Sequence, residues 1–186
     1  MNIAWLDIET TGLDQFDDRI LEVGIVITTP GPDFLPVVYN NWVFPFLIDD
    51  ALFVIPEVVV EMHNKNELWD ECRNAWIEMV DPGELEQEMI QFLVDNEADS
   101  SVMYGNTVHF DRAFLARHLA KLHEQFHYRN FDVSTLKQYA LMFNKEYPWI
   151  DREIHRGVPD CQDAIANAIH FRNVFKPQWP IDKDES

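Results

Sequence analysis

Asp7 and Glu9 stand two residues apart in Ile3-Ala4-Trp5-Leu6-Asp7-Ile8-Glu9-Thr10, an otherwise apolar run. Side chains alternate along an extended strand, so both carboxylates leave the same face. Two carboxylates on one buried face are costly unless something positive neutralises them, and no lysine or arginine precedes Arg19. A divalent metal ion is the simplest neutraliser. The alternative is a solvated acidic pair at an exposed strand end, a common pattern on sheet surfaces.

The segments that follow predict how this strand is housed. Residues 3–8 read as a buried strand ending at Thr11-Gly12, residues 19–28 (RILEVGIVIT) as a second β-branched run, and residues 36–44 (PVVYNNWVF) as a third. Pro30-Gly31-Pro32-Asp33 makes a turn, so three short-looped strands form an antiparallel meander. Pro56 opens a helix through His63, and another runs over residues 67–79. Asp81-Pro82 starts a third, with Leu85, Met89, Phe92 and Leu93 at helical spacing. Residues 101–104 are a short strand before Gly105-Asn106. Phe114, Leu115, His118, Leu119 and Leu122 mark a helix across Asp111, and residues 131–133 are a short strand with Ser134 placed to cap the next helix. The last helix starts near Pro159-Asp160 and runs to Phe175. Strands first, then alternating strands and helices, predict a mixed α/β sheet. At 186 residues the chain reads as a single domain over 1–175 with a mobile tail over 176–186.

Composition excludes several classes. A 47% hydrophobic and 13% aromatic content argues against disorder. Two distant cysteines, Cys72 and Cys161, support neither a disulfide scaffold nor a thiolate zinc site. The apolar stretch 43–62 carries Pro45, Asp49, Asp50, Pro56 and Glu57, which exclude a membrane span. The chain enters a strand without a basic leader, which predicts a cytoplasmic protein. The formal charge is −19, from 14 basic and 33 acidic residues. A protein gripping long nucleic acid needs many cations to displace counterions, so the charge leans toward small substrates and against long duplexes. Solubility alone also accounts for such acidity.

Three further residues complete a chemical set. Asp111, in Gly105-Asn106-Thr107-Val108-His109-Phe110-Asp111-Arg112, lies where a strand hands over to a helix, the usual ligand position of open α/β sheets. It also reads as an ordinary first-turn aspartate. His155 precedes Asp160 by five residues, and Gly157 and Pro159 predict a mobile loop between them. A carboxylate on a helix beside a loop histidine suits a general base that moves in with substrate; a surface histidine and a helix cap are the plain alternative. His155 could instead be a ligand, although four carboxylates suffice for Mg²⁺ or Mn²⁺.

Together D-I-E-T-T-G, a later aspartate before a helix, and H-x-x-x-x-D resemble the three motifs of the DEDDh class of 3′→5′ exonucleases. Within that class the chain is most similar to the oligoribonucleases. The similarity runs from Trp5 to about Phe175 and includes Thr11-Gly12-Leu13-Asp14, Glu61-Met62-His63, Gly105-Asn106, Asp111-Arg112 and the discriminating block from His127-Tyr128-Arg129 to Ser134-Thr135-Leu136-Lys137. The resemblance implies a ribonuclease H-like fold: a mixed five-stranded sheet, three antiparallel strands then parallel ones, flanked by helices. It implies that Asp7, Glu9, Asp111 and Asp160 hold two Mg²⁺ or Mn²⁺ ions and that His155 is the general base. Leu13 would wedge at the bases, Arg129, Ser134 and Thr107 would cap the 5′ phosphate, and His63 and Asn106 would help line the nucleotide pocket. Tyr128 would be donated across a homodimer interface.

Two positions differ from the oligoribonuclease pattern: Thr10 replaces a methionine, and Val58 a tryptophan for which Trp149 and Trp42 are candidate substitutes. The expected activity is metal-dependent 3′→5′ hydrolysis of very short RNA, dinucleotides in particular. A proofreading- or ribonuclease-T-like enzyme on longer ends and a non-catalytic nucleotide-binding module are the alternatives.

Overall fold

The computed structural model describes residues 1–48, 54–143 and 148–174. The predicted tail over 176–186 and the end of the last helix at Phe175 lie outside the described residues. The chain opens with three strands, β1 (Ile3–Thr10), β2 (Ile20–Thr28) and β3 (Pro36–Val43). Three helices follow, α1 (Glu57–Lys65), α2 (Leu68–Ile77) and α3 (Pro82–Asp95), then strand β4 (Val102–Gly105). Helices α4 (His109–His118) and α5 (Ala120–Glu124) lead into β5 (His127–Asp132), α6 (Val133–Met142) and α7 (Gly157–Val174).

The sheet order is β3-β2-β1-β4-β5. The first three strands pair antiparallel and β4 and β5 join in parallel, so the mixed five-stranded sheet expected from the resemblance is the one observed. Period-two alternation divides β1 between two cores. Ala4, Leu6 and Ile8 enter one with Val23, Ile25, Met89, Leu93, Phe114 and Leu115 of β2, α3 and α4. Trp5 enters the other with Val26, Val158, Cys161, Ile165 and Phe171, which belong mainly to α7. Each face of the sheet is thus covered by helix, as a strand buried on both sides requires.

Several boundaries differ from the sequence expectation, each for a local reason. The helix across Asp111 is two helices, because Leu119 adopts φ −136° and ψ 59° between them. Strand β5 begins four residues before the expected 131, at His127, where the sequence is too polar for an apolar-run criterion. Asp132, rather than Ser134, caps α6: its carboxylate accepts from the Ser134 amide at 2.9 Å. Gly157 and Pro159 lie in the first turn of α7 and not in a loop; proline is tolerated there because first-turn amides have no helical acceptor. Among the described residues no helix is long and apolar enough to cross a membrane.

Candidate active site

β1 is the central strand, and by alternation Asp7 and Glu9 follow Trp5 onto the face that α7 covers. Asp7 pairs with Gly24 and Glu9 with Glu22 across β2. The start of α7 lies directly on this register. A Cβ at Gly24 would sit 2.2 Å from the Gly157 carbonyl carbon, and one at Gly157 would sit 2.5 Å from the Gly24 amide nitrogen. Only two glycines allow backbones this close, and the contact delivers Asp160 to β1. One carboxylate oxygen from each of Asp7, Glu9 and Asp160 lies within 4.8 Å of the others. Asp111 stands behind them in the first turn of α4, buried, with Oδ1 accepting from the Ile8 amide at 3.1 Å.

The electrostatics are those of a buried anion cluster whose mutual repulsion outweighs the pull of nearby arginines. Burial, then the neighbouring Asp111 and Glu9 carboxylates, holds the Asp7 carboxyl well above the carboxylate range. Burial and Asp160 push Glu9 up to about 9, against a smaller downward pull from Arg156. Burial, then Asp163 and Asp151, raises Asp160 to about 7, and burial likewise raises Asp111. Among the described residues no lysine or arginine forms an ion pair with Asp7, Glu9 or Asp160. His63 is the nearest candidate, with Nε2 3.6 Å from Glu9 Oε2, but its own burial lowers its pKa to about 4, leaving it neutral. An all-oxygen, converging set that no lysine or arginine among the described residues pairs with fits hard divalent cations.

His155 lines a cavity of about 120 Å³ together with Asp7, Asn106, Trp149 and Asp160. The stretch that carries it is stitched down rather than free. Asn167 binds both the amide and the carbonyl of Ile150 at 3.0 and 2.8 Å. Asp163 accepts from the Arg152 amide at 2.9 Å and from its Nε at 2.6 Å. Arg156 forms a two-sided ion pair with Glu22, at 2.5 Å, and Glu71, at 2.7 Å, while the other Glu22 oxygen accepts from the Gly157 amide at 2.7 Å. Glu22, Glu71 and Arg156 were not among the sequence candidates. Their signals were weak: a single acid within the β-branched run of β2, and a cation next to His155.

The remaining candidates form a second group. Thr107 has φ 52°, and its amide donates to Asp132 Oδ1 at 3.0 Å and Ser134 Oγ at 3.1 Å, with the two hydroxyl oxygens also 3.1 Å apart. Arg112 donates to Asn130 and to the carbonyls of His127 and Arg129, anchoring β5 to α4. Arg129 lies with its guanidinium 5.3 Å from the Tyr128 ring centroid. Tyr128 is 75% exposed and Leu13 84%, whereas His63 is fully buried beside Glu9. Asn106 keeps a buried Oδ1 with no hydrogen-bond partner at the edge of the acidic cavity. Of the two tryptophans considered for the missing aromatic wall, Trp42 is in the core, while Trp149 lines the cavity under Lys137, whose Nζ is 4.3 Å from its ring.

The family model described as Exonuclease matches residues 4–167. The chain belongs to the exonuclease family. Its curated relatives are oligoribonucleases, as the sequence resemblance had indicated. That of Chromobacterium violaceum is 33% identical over 178 residues, covering 94% of this chain and 95% of the relative. That of Nitrosomonas europaea is 34% identical over 178 residues, covering 92% and 93%. Among solved structures, the RNase domain of yeast Pop2 superposes with a TM-score of 0.69 at 12% identity, covering 96% of this exonuclease and 80% of that chain. The zinc-bound complex of E. coli ExoI with single-stranded DNA gives a TM-score of 0.67 at 12% identity, covering 94% of this exonuclease but 41% of the ExoI chain. These structures share its fold.

Proposed function

We propose that this exonuclease is a divalent-metal-dependent 3′→5′ exoribonuclease that cuts very short oligoribonucleotides, dinucleotides in particular, to nucleoside 5′-monophosphates. The observation that carries the reading is the convergence of Asp7, Glu9 and Asp160 within 4.8 Å, on a cavity that His155 also lines. Asp7, Glu9 and Asp160, with Asp111 adjoining, are the residues that would hold two Mg²⁺ or Mn²⁺ ions. Such ions, when bound, supply an activated water and stabilise charge on the leaving 3′ oxygen. His155 takes the proton from the attacking water at an imidazole nitrogen, the role of a general base. His63, neutral and buried, lies with Nε2 3.6 Å from Glu9 Oε2.

Selectivity falls to the second group. Thr107 and Ser134 present two adjacent hydroxyls, and with the guanidinium of the exposed Arg129 they would make a cradle for a terminal phosphate. A capped 5′ phosphate leaves no path for a longer chain, so length is selected by exclusion. Exposed Leu13 is available to wedge against a base, with Asn106 and Trp149 on the cavity wall.

Incubating the protein with Mn²⁺ and 5′-phosphorylated dinucleotides beside a longer single-stranded RNA or DNA tests this directly. The expected kcat/KM is at least about 10-fold higher on the dinucleotides, a difference of roughly 1.4 kcal/mol. Equal rates would leave a nuclease of longer ends in its place.

The reading includes a homodimer. It is supported by the exposed Tyr128 on β5, an edge strand of the sheet, and by Tyr139, Met142 and Phe143 exposed on and just after α6. Tyr128→Ala is expected to be impaired alone and to regain activity when mixed with an Asp7→Asn protein, because a mixed dimer assembles one intact site. Lack of any recovery after subunit exchange would mean that each site is built from one chain.

A further inference from the structure

The conformation of the His155 main chain needs an explanation. His155 and Glu153 both adopt positive φ, 55° and 52°, although neither is glycine. A left-handed non-glycine residue is strained and persists where its surroundings hold it. At position 155 this choice also sets the direction of the Cα–Cβ bond, and so the direction in which the imidazole leaves the chain.

One side chain reaches this segment from another part of the fold. Asn66 follows the last residue of α1, 89 residues before His155. Its Nδ2 donates to the carbonyl of His155 at 2.6 Å and to that of Ile154 at 3.1 Å. Its Oδ1 accepts from the amide of Leu68, the first residue of α2, at 3.1 Å. Donors and acceptor are both engaged, so the amide has one orientation that satisfies them. The main-chain carbonyl of Asn66 accepts from Arg156 Nη1 at 3.1 Å. The same Nδ2 is 3.4 Å from Nδ1 of His63, whose other ring nitrogen faces Glu9. Arg156, by contrast, pins the chain one residue later and holds the start of α7, so it serves Asp160 as much as His155.

We propose that Asn66 is the positioning residue of the catalytic histidine: its amide grips the carbonyls of Ile154 and His155, fixes the left-handed turn, and so presents the imidazole to the cavity it shares with Asp7 and Asp160. The inference rests on the reading of His155 as the general base. Asn66 acts through His155, so its loss slows the proton-transfer step while substrate affinity and the acidic cluster remain. Small misplacements of a reacting group are enough to lower turnover by about 100-fold.

The test is a double-mutant cycle on the full chain, with Mn²⁺ and a 5′-phosphorylated dinucleotide. Asn66→Asp keeps the acceptor for Leu68 and removes the donor; Asn66→Ala removes both. Each is expected to lower kcat by about 10- to 100-fold with KM within about twofold. The rise in melting temperature on adding Mn²⁺ should match that of the parent protein. Introduced into a His155→Ala background, Asn66→Asp should cause no further loss, since residues acting as a unit are non-additive. Parental kcat in Asn66→Asp, a loss that multiplies with that of His155→Ala, or loss of the Mn²⁺ response would each overturn the proposal. So would unfolding of both variants, which would make Asn66 a folding residue. Full activity in His155→Ala alone is a separate result: it would remove the base assignment, and this inference with it.

Discussion

Asp7→Asn is expected to lower turnover on a dinucleotide by at least about 10³-fold while raising the melting temperature of the metal-free protein. The two effects have one origin. Asp7 is buried on the central strand among Asp111, Glu9 and Asp160, and its carboxyl is held well above the normal range. A neutral amide of the same shape relieves that repulsion and keeps the packing between β1 and α7. The amide is also a poor ligand for a hard cation, so the gain disappears from the metal-loaded comparison. Melting curves with EDTA and with Mn²⁺, beside kcat at saturating Mn²⁺, read both effects. Activity within tenfold of the parent would remove Asp7 from the metal site. An unchanged metal-free melting temperature would remove the repulsion argument.

Raising the pH in EDTA should destabilise the protein, and Mg²⁺ or Mn²⁺ should reverse the loss. Asp160 has its pKa raised to about 7 and Glu9 to about 9, against the ordinary carboxyl values of the unfolded chain near 4. The native state therefore binds these protons more tightly than the unfolded state does. The associated stability is fully present below about pH 4, and it is lost as the pH climbs through about 7 and then about 9. Between pH 6 and pH 9 the metal-free melting temperature should fall by on the order of 10 °C. Metal ions displace the same protons, so their binding tightens with pH. The stabilisation by Mn²⁺ should accordingly be larger at pH 8.5 than at pH 6.5. A metal-free melting temperature that holds constant or rises across this window would contradict the buried-cluster electrostatics.

Local patterns were the legible part of the fold. β1 was readable because alternation has a period of two residues, and it indicated that Asp7 and Glu9 share a face. α3 was readable from Asp81-Pro82, whose carboxylate accepts from the Gly83 amide at 2.7 Å. β5 was read short because an edge strand need not be apolar, so His127-Tyr128-Arg129-Asn130 carried no strand signature. Gly157 misled for a different reason. Glycine suggests a loop, but at position 157 it answers a contact with Gly24 in a strand more than a hundred residues earlier. The hydroxyl of Ser134, a good helix cap on sequence grounds, instead meets the amide and hydroxyl of Thr107, while the preceding Asp132 caps the helix by accepting from the Ser134 amide.

The candidate site acids were legible in the sequence for a similar reason. Two carboxylates in an apolar strand and H-x-x-x-x-D are short-range patterns, and their joint resemblance to one family narrowed the chemistry. The supporting side chains carry no such pattern. Glu22 and Arg156 are 134 residues apart, and Asn66 and His155 are 89 apart; each alone is an ordinary polar residue. Sequence alone was enough to single out the candidate acids and the candidate histidine, since charge and spacing along a strand or helix are local properties. It took the folded chain to show that Asp160 meets Asp7 across two glycines, that Asp111 places an oxygen on the Ile8 amide, and that Asn66 binds the His155 carbonyl. Those are contacts between distant segments, set by how α7 packs on the sheet, and no periodicity in the chain encodes them.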